Sequence, residues 1–328
     1  MERYETQGRL LRRTALAGMA GALALAVAAA GADAQDQFPS ETIEMISHAA
    51  PGGGTDVTAR LVLAGAEPEL GVDMVMVYKE GGAARSSHEY LMSRPADGHT
   101  LIALTQTHLY TIARGKSPMT IDDMIGVARA MDDSSIIVVG PDSEIEDYDG
   151  LIAASKETPL AWGVAQVGGT EHIGLARWAE AAGIEYRVVP FGSGGEMLTA
   201  LRSGAVAATI ANVSEGLSLV QEGEVRAIAI LDEERIDDLP DVPTSFEKGH
   251  EVKVTTTRGY AVLADTPPEV VKALEEALLA GMQTDAFQEY LRNSGLDPED
   301  SVGGSEEWDR QLKEEYVQSK EVIDRLGL

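Results

Sequence analysis

Apolar residues in this chain fall into short blocks, separated by turns rich in glycine and proline. Ile43–Ile46, Met74–Val77, Leu101–Leu104 and Ile136–Val139 have the length and near-continuity expected of buried strands. Between them, Asp56–Ala66 and Arg85–Ser93 carry helical spacing. A second series follows, with strands predicted at Ala161–Val164, Tyr186–Val189, Val206–Ile210 and Val225–Leu231. Its helices are Ile173–Ala182, Glu196–Ser203 and Ser214–Gln221. This alternation predicts parallel α/β sheets. The C-terminal third turns helical. Pro267-Pro268-Glu269 opens a helix that runs to about Met282, with its prolines in the first turn. Ala286–Ser294 and Ser305–Leu326 follow, and Ser305 is the expected N-cap of the last helix. The acidic stretches 142–149 and 232–241 read as surface turns near a domain boundary.

Residues 1–34 stand apart. Arg3, Arg9, Arg12 and Arg13 precede a run of Ala, Leu, Gly and Val at Ala15–Ala30, and Ala32-Asp33-Ala34 offers a small-x-small cleavage signal. The segment reads as a secretory signal peptide cleaved near Ala34. Its apolar run is too short and alanine-rich for a membrane span. Arg12-Arg13 matches a twin-arginine signal in part, so that route and the general secretory route both stay open. A periplasmic location is expected for the remainder.

The 328 residues suffice for two domains of ordinary size. A formal charge of -28 repels nucleic acid and favours solubility. An anionic ligand would need local positive potential against that field. With no cysteine, disulfides, thiolate catalysis and a Cys-based lipid anchor are excluded.

Pro51-Gly52-Gly53-Gly54-Thr55-Asp56 lies between a predicted strand and a predicted helix. Glycines let the backbone approach a bound group, and the helix start offers free N–H groups and a positive dipole end. Such a loop can hold a carboxylate or phosphate, although a plain tight turn has the same sequence. The Gly-Lys-Ser/Thr of a nucleotide loop is missing. Two further glycine loops, Gly168-Gly169-Thr170-Glu171-His172 and Pro190-Phe191-Gly192-Ser193-Gly194-Gly195, also precede helices. Three such helix starts can converge on one cleft at the carboxyl ends of the strands. The acidic pairs Asp122-Asp123, Asp132-Asp133 and Asp237-Asp238 read as solvated turns. No nucleophile–base motif and no metal-ligand spacing is evident.

The ordered segments resemble the periplasmic receptors of tripartite tricarboxylate transporters, the Bug family. Phe38-Pro39-Ser40, Ala50 to Asp56, Pro95-Ala96-Asp97-Gly98-His99-Thr100-Leu101, Gly168 to His172, Pro190 to Gly204, Leu239-Pro240-Asp241-Val242-Pro243-Thr244 and Ala264-Asp265-Thr266-Pro267 carry the resemblance across the mature chain. It implies an α/β fold: a two-lobed type II periplasmic-binding-protein clamshell, each lobe a mostly parallel sheet flanked by helices. Residues 35–138 plus 258–328 would form one lobe and 139–257 the other. The resemblance places Gly52, Gly53, Gly54, Thr55 and Asp56 on one side of a ligand carboxylate and Phe191, Gly192, Ser193 and Gly194 opposite. Thr105, Gln106, Gly169, Thr170, His172 and Asn212 are further candidates by position. It implies a non-catalytic monomer without cofactor or metal, which delivers a small organic carboxylate to a two-component inner-membrane permease.

Departures from the family pattern bear on ligand choice. His48-Ala49 replaces Pro-Phe, Thr257-Arg258 replaces an aromatic pair, Ala207 replaces an acid, and Glu196 stands where proline is usual. The loss of aromatic bulk predicts a roomier or more polar pocket. Arg258 can grip a carboxylate in a bidentate fork, or can merely offset surface acids. Glu196 fits a dipole-stabilising role, or an amine-binding one if it faces the cleft. Two other functions stay open: a sensory protein of the same fold, and a hydrolase or lyase using His48 or His172.

Overall fold

The computed structural model describes residues 38–327; the expected leader lies outside the described residues. Three parallel strands, β1 (Ile43–Ser47), β2 (Met74–Tyr78) and β3 (Thr100–Leu104), form one half of the sheet in the order β2-β1-β3. Every residue of β3 is buried, as a central parallel strand requires. The other half has β5 (Leu160–Val164) between β6 (Tyr186–Pro190) and β7 (Ala208–Asn212), again parallel. The halves are the two lobes of a clamshell.

Two long antiparallel strands join them. β4 (Met124–Val139) pairs with β9 (Thr255–Leu263) as far as Ser134, then with β7 and β8 (Arg226–Ile230) from Ser135 onward. β9 also pairs with β3. β4 therefore begins in one lobe and ends in the other, and β9 starts where β4 crosses, so residues near 132–135 and 255–258 lie at the junction of the lobes.

β4 is far longer than the apolar block at 136–139. Arg129, Asp132 and Asp133 interrupt its hydrophobic pattern, yet it pairs throughout. The reading of Asp132-Asp133 as a solvated turn is thus incorrect: Asp133 is in mid-strand and has no exposed surface. Ser305 also differs from its expected role. Gly304 is the N-cap of α11 (Ser305–Leu326), and the Ser305 amide donates to Glu275 Oε1 at 2.6 Å.

Each lobe has its own core. Ile46, Leu91, Ile102, Leu104, Trp308 and Leu312 pack in the first. Trp308 fits because Gly259 has no side chain: a Cβ there would be 2.6 Å from the ring's Cζ2. In the second lobe, Tyr148, Trp162, Trp178 and Ile210 pack on one face of the sheet. Ile136, Val138, Met197 and Leu201 pack on the other. Burying side chains of this size contributes about 1.5–3 kcal/mol each before entropy is counted.

Candidate functional site

Four helices begin at the carboxyl ends of strands and face the space between the lobes. They are α1 (Gly54–Leu70) after β1, α5 (Thr170–Ala182) after β5, α6 (Gly194–Arg202) after β6 and α7 (Val213–Gln221) after β7. Their first turns, with the hinge, enclose a cavity of about 40 Å³. Gly53, Gly54 and Thr55 line it from one side, and Ser193 and Gly194 from the other. Thr105, Thr170 and Arg258 complete the predicted residues in its wall.

Contacts across the cleft are close. The Ala50 amide donates to the Gly192 carbonyl at 3.3 Å. Gln166 Nε2 donates to the His48 carbonyl at 3.1 Å, and the Thr170 amide to Thr107 Oγ1 at 3.1 Å. The cleft is closed in this state. A cavity of this size has room for about one water, whose share of liquid volume is about 30 Å³. Charged side chains of Glu171, Glu215 and Arg258 occupy part of the space.

The other predicted residues serve the wall from outside it. Asp56 is buried and accepts from the Gly52 amide at 2.9 Å, from Arg60 Nε at 2.9 Å and from Tyr78 Oη at 2.6 Å. It fixes the turn at Gly52, where φ is +85°, a conformation that glycine tolerates. His172 Nδ1 accepts from the Gly168 amide at 2.8 Å and so braces the third loop. Gly169 is the N-cap of α5. Gln106 is turned to the hinge, where it donates to Thr257 Oγ1 at 2.6 Å and accepts from the Thr257 amide at 2.8 Å. Phe191 and Gly192 line a wider groove of about 650 Å³, which also includes Arg85, Arg114 and Lys116. That groove shares Ala165 and Gln166 with the cavity and forms its outer approach. Glu196 is exposed and accepts from the Gly192 amide at 2.9 Å, closing the first turn of α6 with Ser193. That is a capping role.

Arg258 is buried at the hinge, at 4 % exposure. Its Nη1 pairs with Asp133 Oδ2. Asp133 also accepts from the Ser214 amide at 3.1 Å, from Ser214 Oγ and from Asn212 Nδ2 at 3.3 Å. Asn212 thus supports the pair from below. Burial works most strongly on the guanidinium and against its charge, but Asp133, Tyr290 and Glu215 together outweigh it and the Arg258 pKa is raised. The surface-offset reading of Arg258 is excluded by its position.

Two carboxylates in the wall escaped the sequence reasoning. Glu215, in the first turn of α7, accepts from the Gly54 amide through Oε1 at 2.6 Å. Glu171 lines the cavity from α5. Both reach the surface only in part, and burial raises both pKa values, that of Glu171 to about 7. Glu215 follows Asn212 at the carboxyl end of a strand, which was the available signal.

At the base of the cavity His48 meets His108 edge to face and His88 meets His108 at a tilt, with ring centroids 4.4 and 5.1 Å apart. Burial lowers His48 to about 3, His88 to about 4 and His108 well below 6.5. His48 lines the cavity, but no nucleophile is paired with it, and His172 is engaged by its own loop. Among the described residues, no group of three His, Cys, Asp or Glu side chains is placed to hold a metal.

The histidines make acid destabilising. Each is neutral when folded and protonates below about pH 6.5 when unfolded, so stability falls as pH falls from 6.5. In His88→Asn the decline of unfolding free energy between pH 6.5 and 5 should be shallower by about 1 kcal/mol per pH unit. Urea titrations at several pH values measure it, and equal slopes would contradict the neutral cluster. Glu171 acts oppositely, its raised pKa costing stability as pH rises from 4.5 through 7, so the comparison must be wild type against variant.

A two-lobed α/β body with helix starts converging on an interlobe cavity defines the class of periplasmic-type binding proteins. The profile of the tripartite tricarboxylate transporter family receptor matches residues 58–328, and the chain belongs to that family. It is 27% identical over 271 residues to Protein BugT of Bordetella pertussis, covering 80% of this chain and 83% of that one. Two solved structures share the fold. One is MatC from Rhodopseudomonas palustris with bound malate, at 24% identity and TM-score 0.81, covering 87% of this chain and 100% of that one. The other is periplasmic binding protein BugD, at 21% identity and TM-score 0.82, covering 88% and 99%. No described helix is long and apolar enough to cross a membrane.

Proposed function

We propose that the chain is an extracytoplasmic receptor, not an enzyme. It captures a small organic carboxylate between its lobes and delivers it to a two-component inner-membrane permease. The observation that carries this reading is the convergence of three glycine-flanked helix starts, at Gly54, Thr170 and Gly194, on one enclosed cavity with Arg258 in its wall. Helix N-termini supply positive potential locally, against an overall charge of -28. Membership in a receptor family supports it, and so does the malate bound to MatC.

Loading follows from the geometry. The lobes separate about the β4–β9 hinge, a ligand enters past Phe191 and Arg114, and the glycine loops close on it. The ligand thereby gains donors that water shares when the cleft is open. A thermal-shift screen of the chain from Gln35, against small organic acids and their amides, tests this. A ligand at 100 times its Kd should add about 2.7 kcal/mol of stability. A shift with an acid and not with its amide is the expected outcome; no shift with any acid would contradict the reading.

A further inference from the structure

The charges around the cavity do not suit a ligand that is only an anion. Gly54 donates its amide to Glu215 Oε1 at 2.6 Å. A Cβ on Gly194 would lie 2.6 Å from that same oxygen. The carboxylate of Glu215 therefore occupies the point where the Gly54 and Gly194 loops converge. A ligand carboxylate seated there would have to displace it. Glu171 faces the same cavity and, like Glu215, is in no ion pair among the described residues. Arg258 favours the ionised form of both acids, but it is shared with Asp133, so three carboxyl groups face one guanidinium. Burial pushes both glutamates toward their neutral forms for want of a second cation. Like charges in an enclosed, poorly solvated space repel far more strongly than in water.

The same wall keeps polar atoms of both kinds without partners. Arg258 Nε, a charged donor, is buried and unpaired, and Gln166 Oε1 is a buried unpaired acceptor. Both residues line the cavity. A ligand with an anionic and a cationic end would satisfy both and relieve the excess negative charge.

We propose that the ligand is a zwitterion of the amino-acid type, with its ammonium group received by Glu215 and Glu171 and its carboxylate by Arg258 Nε. This rests on the reading of the cleft as a carboxylate receptor and narrows it. Glu215 and Glu171 become the residues that decide specificity. Glu215 holds the Gly54 amide and is oriented before the ligand arrives. The raised pKa values of both acids fit, since an incoming cation would favour the ionised forms.

The test uses matched pairs that differ only by the amine: alanine and propionate, aspartate and succinate, glutamate and glutarate, phenylalanine and 3-phenylpropionate, 4-aminobutyrate and butyrate. Each is titrated calorimetrically into the chain from Gln35. At least one amine-bearing member should bind tenfold or more tightly than its partner. Glu215→Gln and Glu171→Gln should each cut that preference tenfold. If an amine-free acid binds as tightly as its partner, the ammonium site is overturned and the carboxylate receptor stands. If no pair member binds, the ammonium site is overturned, and the thermal-shift screen alone decides the carboxylate reading. A preference that survives both Gln variants also overturns the assignment.

Discussion

Arg258→Met is expected to lower the unfolding free energy by about 3–5 kcal/mol, the usual cost of stranding one member of a buried ion pair. Asp133 has no exposed surface and Arg258 has 4 %. Removing the guanidinium leaves a carboxylate in mid-strand, with only Asn212 and the Ser214 donors to hold its charge. Asp133→Asn in the same chain removes that charge and keeps an acceptor for Ser214. The double variant should therefore recover more than half of the loss. Urea denaturation of the single and double variants measures the coupling. A single variant within about 1 kcal/mol of wild type would show that the pair contributes little.

Gly54→Val should weaken ligand binding at least about 100-fold, or about 2.8 kcal/mol. A Cβ at Gly54 would lie 3.0 Å from Arg258 Cζ and 3.1 Å from Glu215 Oε1, with Nη2 closer still. Valine adds two methyl groups beyond that atom, so both side chains must leave their positions or the lobes must stay apart. Overpacking of this kind costs about 1–3 kcal/mol of stability as well. The variant should fold, because the collision is confined to the cleft. Titration of any acid found by the thermal-shift screen reads the effect, with circular dichroism as the control. Unchanged affinity would remove the α1 start from the site.

Most of the architecture was legible because buried parallel strands and amphipathic helices leave different periods in the sequence. β1, β2, β5 and β6 appear as apolar blocks within a residue or two of their observed limits. α3 (Gln106–Ala113) was not seen. Seven of its eight residues are buried, so it has no polar face to set a helical period. Residues 124–135 of β4 were missed for a related reason: the charged residues there are satisfied by partners distant in sequence, such as Asp133 by Arg258. No local pattern encodes that pairing.

The glycine loops of the candidate site were visible, since glycine before a helix start is a local signal. Their acidic neighbours were not. Glu171 lies inside a loop that was singled out, but a first-turn glutamate is also what the helix dipole favours. Only the assembled cleft separates a capping acid such as Glu196, which folds back on its own loop, from Glu215, which crosses to the Gly54 amide of the other lobe.

A crystal structure of the chain with the acid that gives the largest thermal shift tests the central claim most directly. The ligand should hold the lobes farther apart than the one-water cavity seen here, with its carboxylate among Gly53, Thr55, Ser193 and Arg258. A ligand bound elsewhere, with the cleft closed and empty beneath it, would contradict that claim.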